Sequence, residues 1–143
     1  MIIKIFEYGT DFYRRELNLR DKVLRKPLGL NLFDEDLSQD EKDIHIGAFY
    51  GEKLTGCILL SKIDKKTLKM RQVAVDIEYQ GQGIGSDMVK FCEKYTKNNG
   101  YDKITMHARK TAEDFYLKLG YKTIGNEFDE VGIPHCEMEK LIN

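Results

Sequence analysis

Three β-type runs in close succession constrain this chain most. Ile44–Tyr50 (IHIGAFY), Leu54–Ile63 (LTGCILLSKI) and Leu68–Val75 (LKMRQVAV) are rich in branched and aromatic residues. The connections between them, "YGEK" and "DKKT", are short and turn-forming. Strands joined so tightly pair as an antiparallel meander, because a parallel pair needs a long crossover. The loop "EYQGQGIGSD" comes next, with Gly81, Gly83 and Gly85 just before an apolar run. Ile84, Met88, Val89, Phe91, Cys92 and Tyr95 recur at helical spacing, which predicts a helix from about Gly83 to Asn98. "NNG" at 98–100 is its stop.

The flanking segments complete the pattern. Ile2–Tyr8 reads as a strand. Thr10 or Asp11 caps a helix running to about Arg25, before Pro27. Residues 26–43 read as a loop with a short helical turn. Lys103–Ala108 is a strand, Thr111–Leu119 a short helix closed by Gly120, and Tyr121–Gly125 and His135–Leu141 are two last strands around a polar loop. The order β-α-β-β-β-α-β-α-β-β predicts an α/β fold with a mixed sheet and helices on its faces.

The 143 residues fit a single domain, 1–143, with a hydrophobic core. Apolar residues make up 41%, charged residues 33%, and the formal net charge is −1. This balance gives no reason to expect a nucleic-acid or membrane partner. No signal-peptide pattern is seen at "MIIKIFEYG", so the expected compartment is the cytoplasm. Cys57, Cys92 and Cys136 are odd in number and lack CxxC spacing, which argues for buried thiols over disulfides or a zinc ribbon.

The glycine loop has three readings as an anion site. Unsatisfied N–H groups and the dipole at a helix N-terminus favour a phosphate, and glycine leaves them uncovered. A Walker A loop requires lysine after its last glycine, but Ser86 and Asp87 follow Gly85. A dinucleotide fingerprint belongs after the first strand of a parallel unit, whereas a meander precedes this loop. The third reading is the pyrophosphate of coenzyme A.

Gln80-Gly81-Gln82-Gly83-Ile84-Gly85 matches the pattern Gln/Arg-x-x-Gly-x-Gly/Ala, and the chain here resembles the GCN5-related N-acetyltransferases (GNAT family). "RQVAV" at 71–75 looks like the family's fourth strand, and "AEDFYLKLGY" at 112–121 looks like its second signature. "LRDKVLRKPLG" and "GIPHCEMEK" look like a small bacterial branch of uncertain substrate. The resemblance implies a central mixed sheet splayed between strands 4 and 5. It also implies acetyl-CoA as co-substrate without a metal, and transfer of acetyl to a primary amine of a small molecule or peptide by direct attack. Homodimer formation stays open, as does a non-catalytic CoA-binding sensor or interaction module. A nucleotide-binding regulatory domain is a third reading.

By this resemblance Val73 and Val75 bond pantetheine through their backbones while Ala74 faces the other way. The Val75 N–H is then an oxyanion donor, and residues 80–86, Ser86 included, cradle the pyrophosphate. Tyr116 matches the tyrosine near the CoA sulfur and is the candidate general acid; a phenol titrating near pH 10 can protonate a departing thiolate. On a helix Phe115 and Tyr116 lie about 100° apart, so Phe115 is the expected core residue. His107, His135 and Glu78 are candidate bases, and His45 is expected to be structural. Arg109 stands where many relatives carry an amide that bonds the cofactor, and Lys110 and Lys118 could meet the 3′-phosphate.

The acceptor side is expected on the first helix, the loop after it and the 125–135 loop. Arg20 or Arg25 could clamp an acceptor carboxylate or phosphate. Conversely Asp34, Glu35, Asp36, Glu127, Asp129 and Glu130 could attract a polyamine, an aminoglycoside or a lysine.

Overall fold

The computed structural model describes all residues from Met1 to Asn143. They form two compact units. Unit 1 holds Met1–Ser61 and Gln72–Cys92; unit 2 holds Lys62–Arg71 and Glu93–Asn143.

Unit 1 begins with strand β1 (Ile2–Phe6) and helix α1 (Asp11–Arg20). Helix α1 continues as one wide π-turn over Asp21–Arg25, so the expected helix to Arg25 forms but changes its winding at Arg20. Pro27 and the left-handed Gly29 then end it. The segment to Lys42 contains three 3-10 turns instead of one, at Lys26–Leu28, Leu32–Asp34 and Ser38–Lys42. Strands β2 (Ile44–Tyr50) and β3 (Lys53–Lys62) come next, and β4 (Thr67–Val75) enters the unit at Gln72. β1 pairs antiparallel with β2, and β2 with β3.

The core of this unit joins the strands to α1. Phe6, Phe49, Leu54, Cys57 and Ala74 pack with Leu19 and Leu24, and Phe12, Tyr13 and Val23 lean on them. These residues of the first helix and its continuation are therefore its buried face. Helix α2 (Ile84–Asn98) buries Ile84, Met88, Val89 and Cys92. It lies so close to β3 that a Cβ on Gly56 would stand 2.8 Å from the Met88 methyl. No side chain larger than hydrogen fits there without a shift.

Unit 2 is built around β5 (Lys103–Arg109), α3 (Glu113–Lys118), β6 (Lys122–Glu130) and β7 (Ile133–Leu141). β4 and β5 run parallel from Thr67/Lys103 to Met70/Met106, and β4 runs on beyond that ladder to Val75. A parallel neighbour is what the helical crossover through α2 provides. β7 then inserts antiparallel between β5 and β6. The hydrogen-bonded strand order is β1-β2-β3-β4-β5-β7-β6, the mixed sheet expected from the sequence.

The polar loop expected at 125–135 is instead a tight hairpin. β6 extends to Glu130 and β7 starts at Ile133, leaving Val131 and Gly132 as the turn. Both have positive φ, 47° and 78°, as a two-residue hairpin requires. The start of β6 falls in the strand expected at Tyr121–Gly125; its continuation to Glu130 reads as loop in the sequence because it is an outer strand whose residues are mostly exposed and polar. All three cysteines are buried thiols outside any disulfide, as expected.

Candidate cofactor and active site

The glycine loop of unit 1 is held from below and open above. Asp76, 6% exposed, starts it: its N–H bonds the Thr55 carbonyl, and its carboxylate accepts the Glu78 N–H at 3.3 Å and Lys22 Nζ at 3.1 Å. Burial would raise the Asp76 pKa, but the Lys22 contact and the Glu78 N–H outweigh it and hold the carboxyl below its ordinary value. Gln80 Nε2 donates to the Val75 carbonyl at 2.9 Å, so this side chain ties the loop back to the end of β4. Gly81 and Gly83 have φ of 80° and 83°, and a Cβ on either would meet nothing within 4 Å. These glycines are therefore required by backbone angle, and the space outside them is open.

The Asp87 N–H bonds the Gly83 carbonyl. Gly83 thus caps α2, and the N–H groups of Ile84, Gly85 and Ser86 belong to the first turn, whose donors have no intrahelical acceptor. Gln82 is exposed beside them. Such a terminus, with its dipole, suits a pyrophosphate.

β4 approaches this loop with alternating faces. Ala74 is 3% exposed and sits in the core, whereas Val73 and Val75 are half-buried on the opposite face. This is the alternation expected of a strand that presents its backbone and Val73 and Val75 to a ligand. One residue earlier, Gln72 has φ 55°, an unusual angle for a non-glycine residue that costs on the order of 1–3 kcal/mol.

In unit 2 the structure brings together two of the three candidate bases. His107 Nδ1 is 2.9 Å from Glu130 Oε1, and His135 Nε2 is 3.7 Å from Glu130 Oε2. The Phe128 ring lies edge-on to His107 at 5.0 Å and stacks on His135 at 6.1 Å. An ionised Glu130 only accepts, so His107 Nδ1 carries the hydrogen and the neutral ring keeps its lone pair on Nε2. His135 is 3% exposed, and its Nδ1 faces the Ile133 carbonyl at 3.0 Å. His107 is the more accessible ring, with a third of its side chain exposed. Glu78 stands on unit 1, exposed, with its carboxylate 3.4 Å from Lys53 Nζ. Glu130 and Phe128 are legible in the sequence only as part of an acidic, polar stretch; the hairpin register sets Phe128 opposite His135 and brings Glu130 to the two rings.

Phe115 is not the core residue expected, and Tyr116 is the more buried of the two. Tyr116 is 5% exposed and Phe115 38%. On the short α3 it is Tyr116 that turns inward, packing edge-on against the Tyr121 ring at 5.9 Å, with Phe115 against its outer side at 5.0 Å. The Leu119 and Tyr121 N–H groups bond the Tyr116 carbonyl, which fixes the residue at the helix end. Arg109 is half-buried opposite His135 in the β5–β7 register. Lys110 pairs with Glu113 at 2.6 Å, and Lys118 is exposed.

The arginine clamp read from the first helix is not available. Arg20 is 1% exposed and bonded to Glu16, Asp40 and Gln72. Arg25 is 6% exposed and bonded through two nitrogens to Glu35. Both guanidinium groups are taken up by internal carboxylates, so neither can hold an acceptor without leaving a carboxylate of the fold unpaired. His45 is structural, as expected, and buried in the same network.

Comparison with known proteins identifies the family. The family model "Acetyltransferase (GNAT) domain" matches residues 22–142. A Bacillus subtilis (strain 168) protein, YyaT, is 32% identical over 111 residues, covering 78% of this chain and 74% of its own. "Uncharacterized N-acetyltransferase YitI" of the same organism is 27% identical over 131 residues, 87% of this chain and 88% of its own. Among solved structures, an aminoglycoside 6′-N-acetyltransferase complexed with coenzyme A superposes with a TM-score of 0.83 over 100% of this chain and 98% of its own, at 18% identity. The curated relatives and the family model carry the family, and the structural neighbour carries the fold. The chain belongs to the GNAT family of acetyltransferases.

Proposed function

We propose that this acetyltransferase moves the acetyl group of acetyl-CoA to a primary amine of a small molecule or peptide by direct attack. The observation that carries the reading is the open cradle at Gly81, Gly83 and the first turn of α2, placed directly after the Val73–Val75 segment. In the proposed reaction the neutral amine nitrogen attacks the thioester carbonyl carbon. The carbonyl oxygen becomes an oxyanion, for which the Val75 N–H is the donor. His107 Nε2 takes the proton lost by the amine, with Glu130 holding the ring's Nδ1–H. The intermediate collapses, the carbon–sulfur bond breaks, and Tyr116 supplies a proton to the departing thiolate. His135 supports the Glu130 end of this relay, and Glu78 has no part in it.

The aminoglycoside enzyme among the structural neighbours makes an aminoglycoside the first acceptor to try, beside polyamines and lysine peptides. The acidic hairpin, with Glu127, Asp129 and Glu130 all exposed, favours such cationic acceptors. The test is release of free thiol from acetyl-CoA with a panel of these amines. Tight CoA binding without turnover on any amine would instead support a sensor. Melting shifted by ATP or NAD but not by CoA would support a nucleotide-binding domain.

A further inference from the structure

Unit 1 contains a buried charged cluster that the transfer chemistry does not use. Arg20 Nη1 donates to Glu16 Oε2 at 3.1 Å and to Asp40 Oδ2 at 2.8 Å. His45 lies with Nδ1 2.8 Å from Glu16 Oε1 and Nε2 2.7 Å from the Asp40 carbonyl. The Tyr13 hydroxyl donates to Asp40 Oδ2 at 2.8 Å. Glu16 and Asp40 are 0% exposed, Arg20 and His45 1%.

A cluster of this kind is weak evidence for stability, because desolvating the ions offsets most of their attraction. What it provides is a fixed position for the guanidinium. Glu16 lies on α1 and Asp40 in the turn before β2, and they hold Arg20 through Nη1. The Nε donor of Arg20 points elsewhere, reaching across to Gln72 Oε1 at 3.1 Å. The Gln72 carbonyl accepts the Cys57 thiol hydrogen at 3.4 Å. Gln72 is therefore held at both its side chain and its backbone, and it is the residue of β4 in the left-handed region. A strand residue in that conformation re-aims the residues after it. On β4 those residues are Val73, Ala74 and Val75.

We propose that Arg20, acting through Gln72, is a positioning residue for the cofactor-binding segment of β4. The inference rests on the reading that Val73–Val75 carry pantetheine. The arginine is not interchangeable with lysine at this place. Its planar fork meets Glu16, Asp40 and Gln72 at once, whereas an ammonium group can replace the charge but not the three directions. Without the tether, Gln72 relaxes toward extended backbone and the three residues after it turn with it.

The test measures CoA binding by calorimetry, the KM values for acetyl-CoA and for the amine, and thermal melting. Gln72→Leu removes the acceptor while Arg20 keeps both carboxylates. Arg20→Lys keeps the charge but not the reach. The expected result is a cooperative melt at a lowered midpoint, because a buried donor or carboxylate loses its partner, with the CoA Kd and the acetyl-CoA KM each raised roughly tenfold and the amine KM unchanged. Gln72→Gly adopts the left-handed angle without help, so adding Arg20→Lys to it should weaken CoA binding less than Arg20→Lys does alone. If Arg20→Lys fails to fold, Gln72→Leu decides alone. Folded Gln72→Leu protein that binds CoA as tightly as the parent overturns the inference. Failure of the parent protein to bind CoA overturns the cofactor reading itself, and the inference with it.

Discussion

At the scale of single residues, the candidate chemistry depends on which atoms are left over after the fold has used the rest. Glu130 fixes His107 by its Nδ1 and leaves Nε2 for a proton. His107→Gln should then lower kcat by about 10²–10⁴-fold, the usual contribution of a general base. Glu130→Gln should lower it less, because it loosens the hold on the ring without removing the base. Steady-state kinetics would check both, and an unchanged kcat in Glu130→Gln would remove the dyad. Tyr116→Phe should slow turnover while CoA affinity, measured by calorimetry, stays as it was. The ring still fills its place against Tyr121, so unchanged turnover would mean that Tyr116 serves packing and not proton transfer. The sequence motif points to Tyr116, but its inward orientation is not legible there. A six-residue helix has too few turns for its apolar period to say which aromatic faces in. Arg20 and Arg25 mislead for a related reason. Their partners Asp40 and Glu35 lie in a loop with no periodicity, and Gln72 is 52 residues from Arg20 in sequence.

At the scale of elements, the segments legible in the sequence are those whose two faces differ or whose ends are marked. β2 has the ends its sequence predicts, Ile44 and Tyr50, because turn residues bound it and its apolar content is high. α2 is legible from its period and its "NNG" stop. β6 is legible only as far as Gly125, since the exposed residues after it show little alternation. Its turn carries a cost that can be removed. Val131 sits at φ 47°, where a branched side chain is strained and asparagine is tolerated. Val131→Asn should raise stability by roughly 1 kcal/mol, in line with the penalty of a left-handed non-glycine residue, and denaturant unfolding would show it as a higher midpoint at unchanged slope. Gly83→Val should do the opposite at the start of α2, weakening CoA binding because φ 83° no longer suits the residue.

At the scale of the whole molecule, pH should act on stability through the buried cluster. Burial opposes the charged His45 ring, but the hydrogen bond and charge of Glu16, with the Asp40 carbonyl, outweigh it and raise its pKa above the ordinary 6.5. A raised folded-state value means the protonated ring stabilises the fold. That contribution is complete below the unfolded value and is lost as pH rises through the folded one. Melting points taken from about pH 6 upward should therefore fall toward alkaline pH more steeply than in His45→Gln. Equal slopes would show that His45 does not change its charge on this path. Acetyl transfer to an amine is decided by the free thiol released from acetyl-CoA with an amine panel, read together with mass spectrometry of the amine. Thiol release should require an amine, leave that amine N-acetylated and be slowed by Tyr116→Phe and His107→Gln. Tight CoA binding with no acetylated product from any amine would contradict the proposed function.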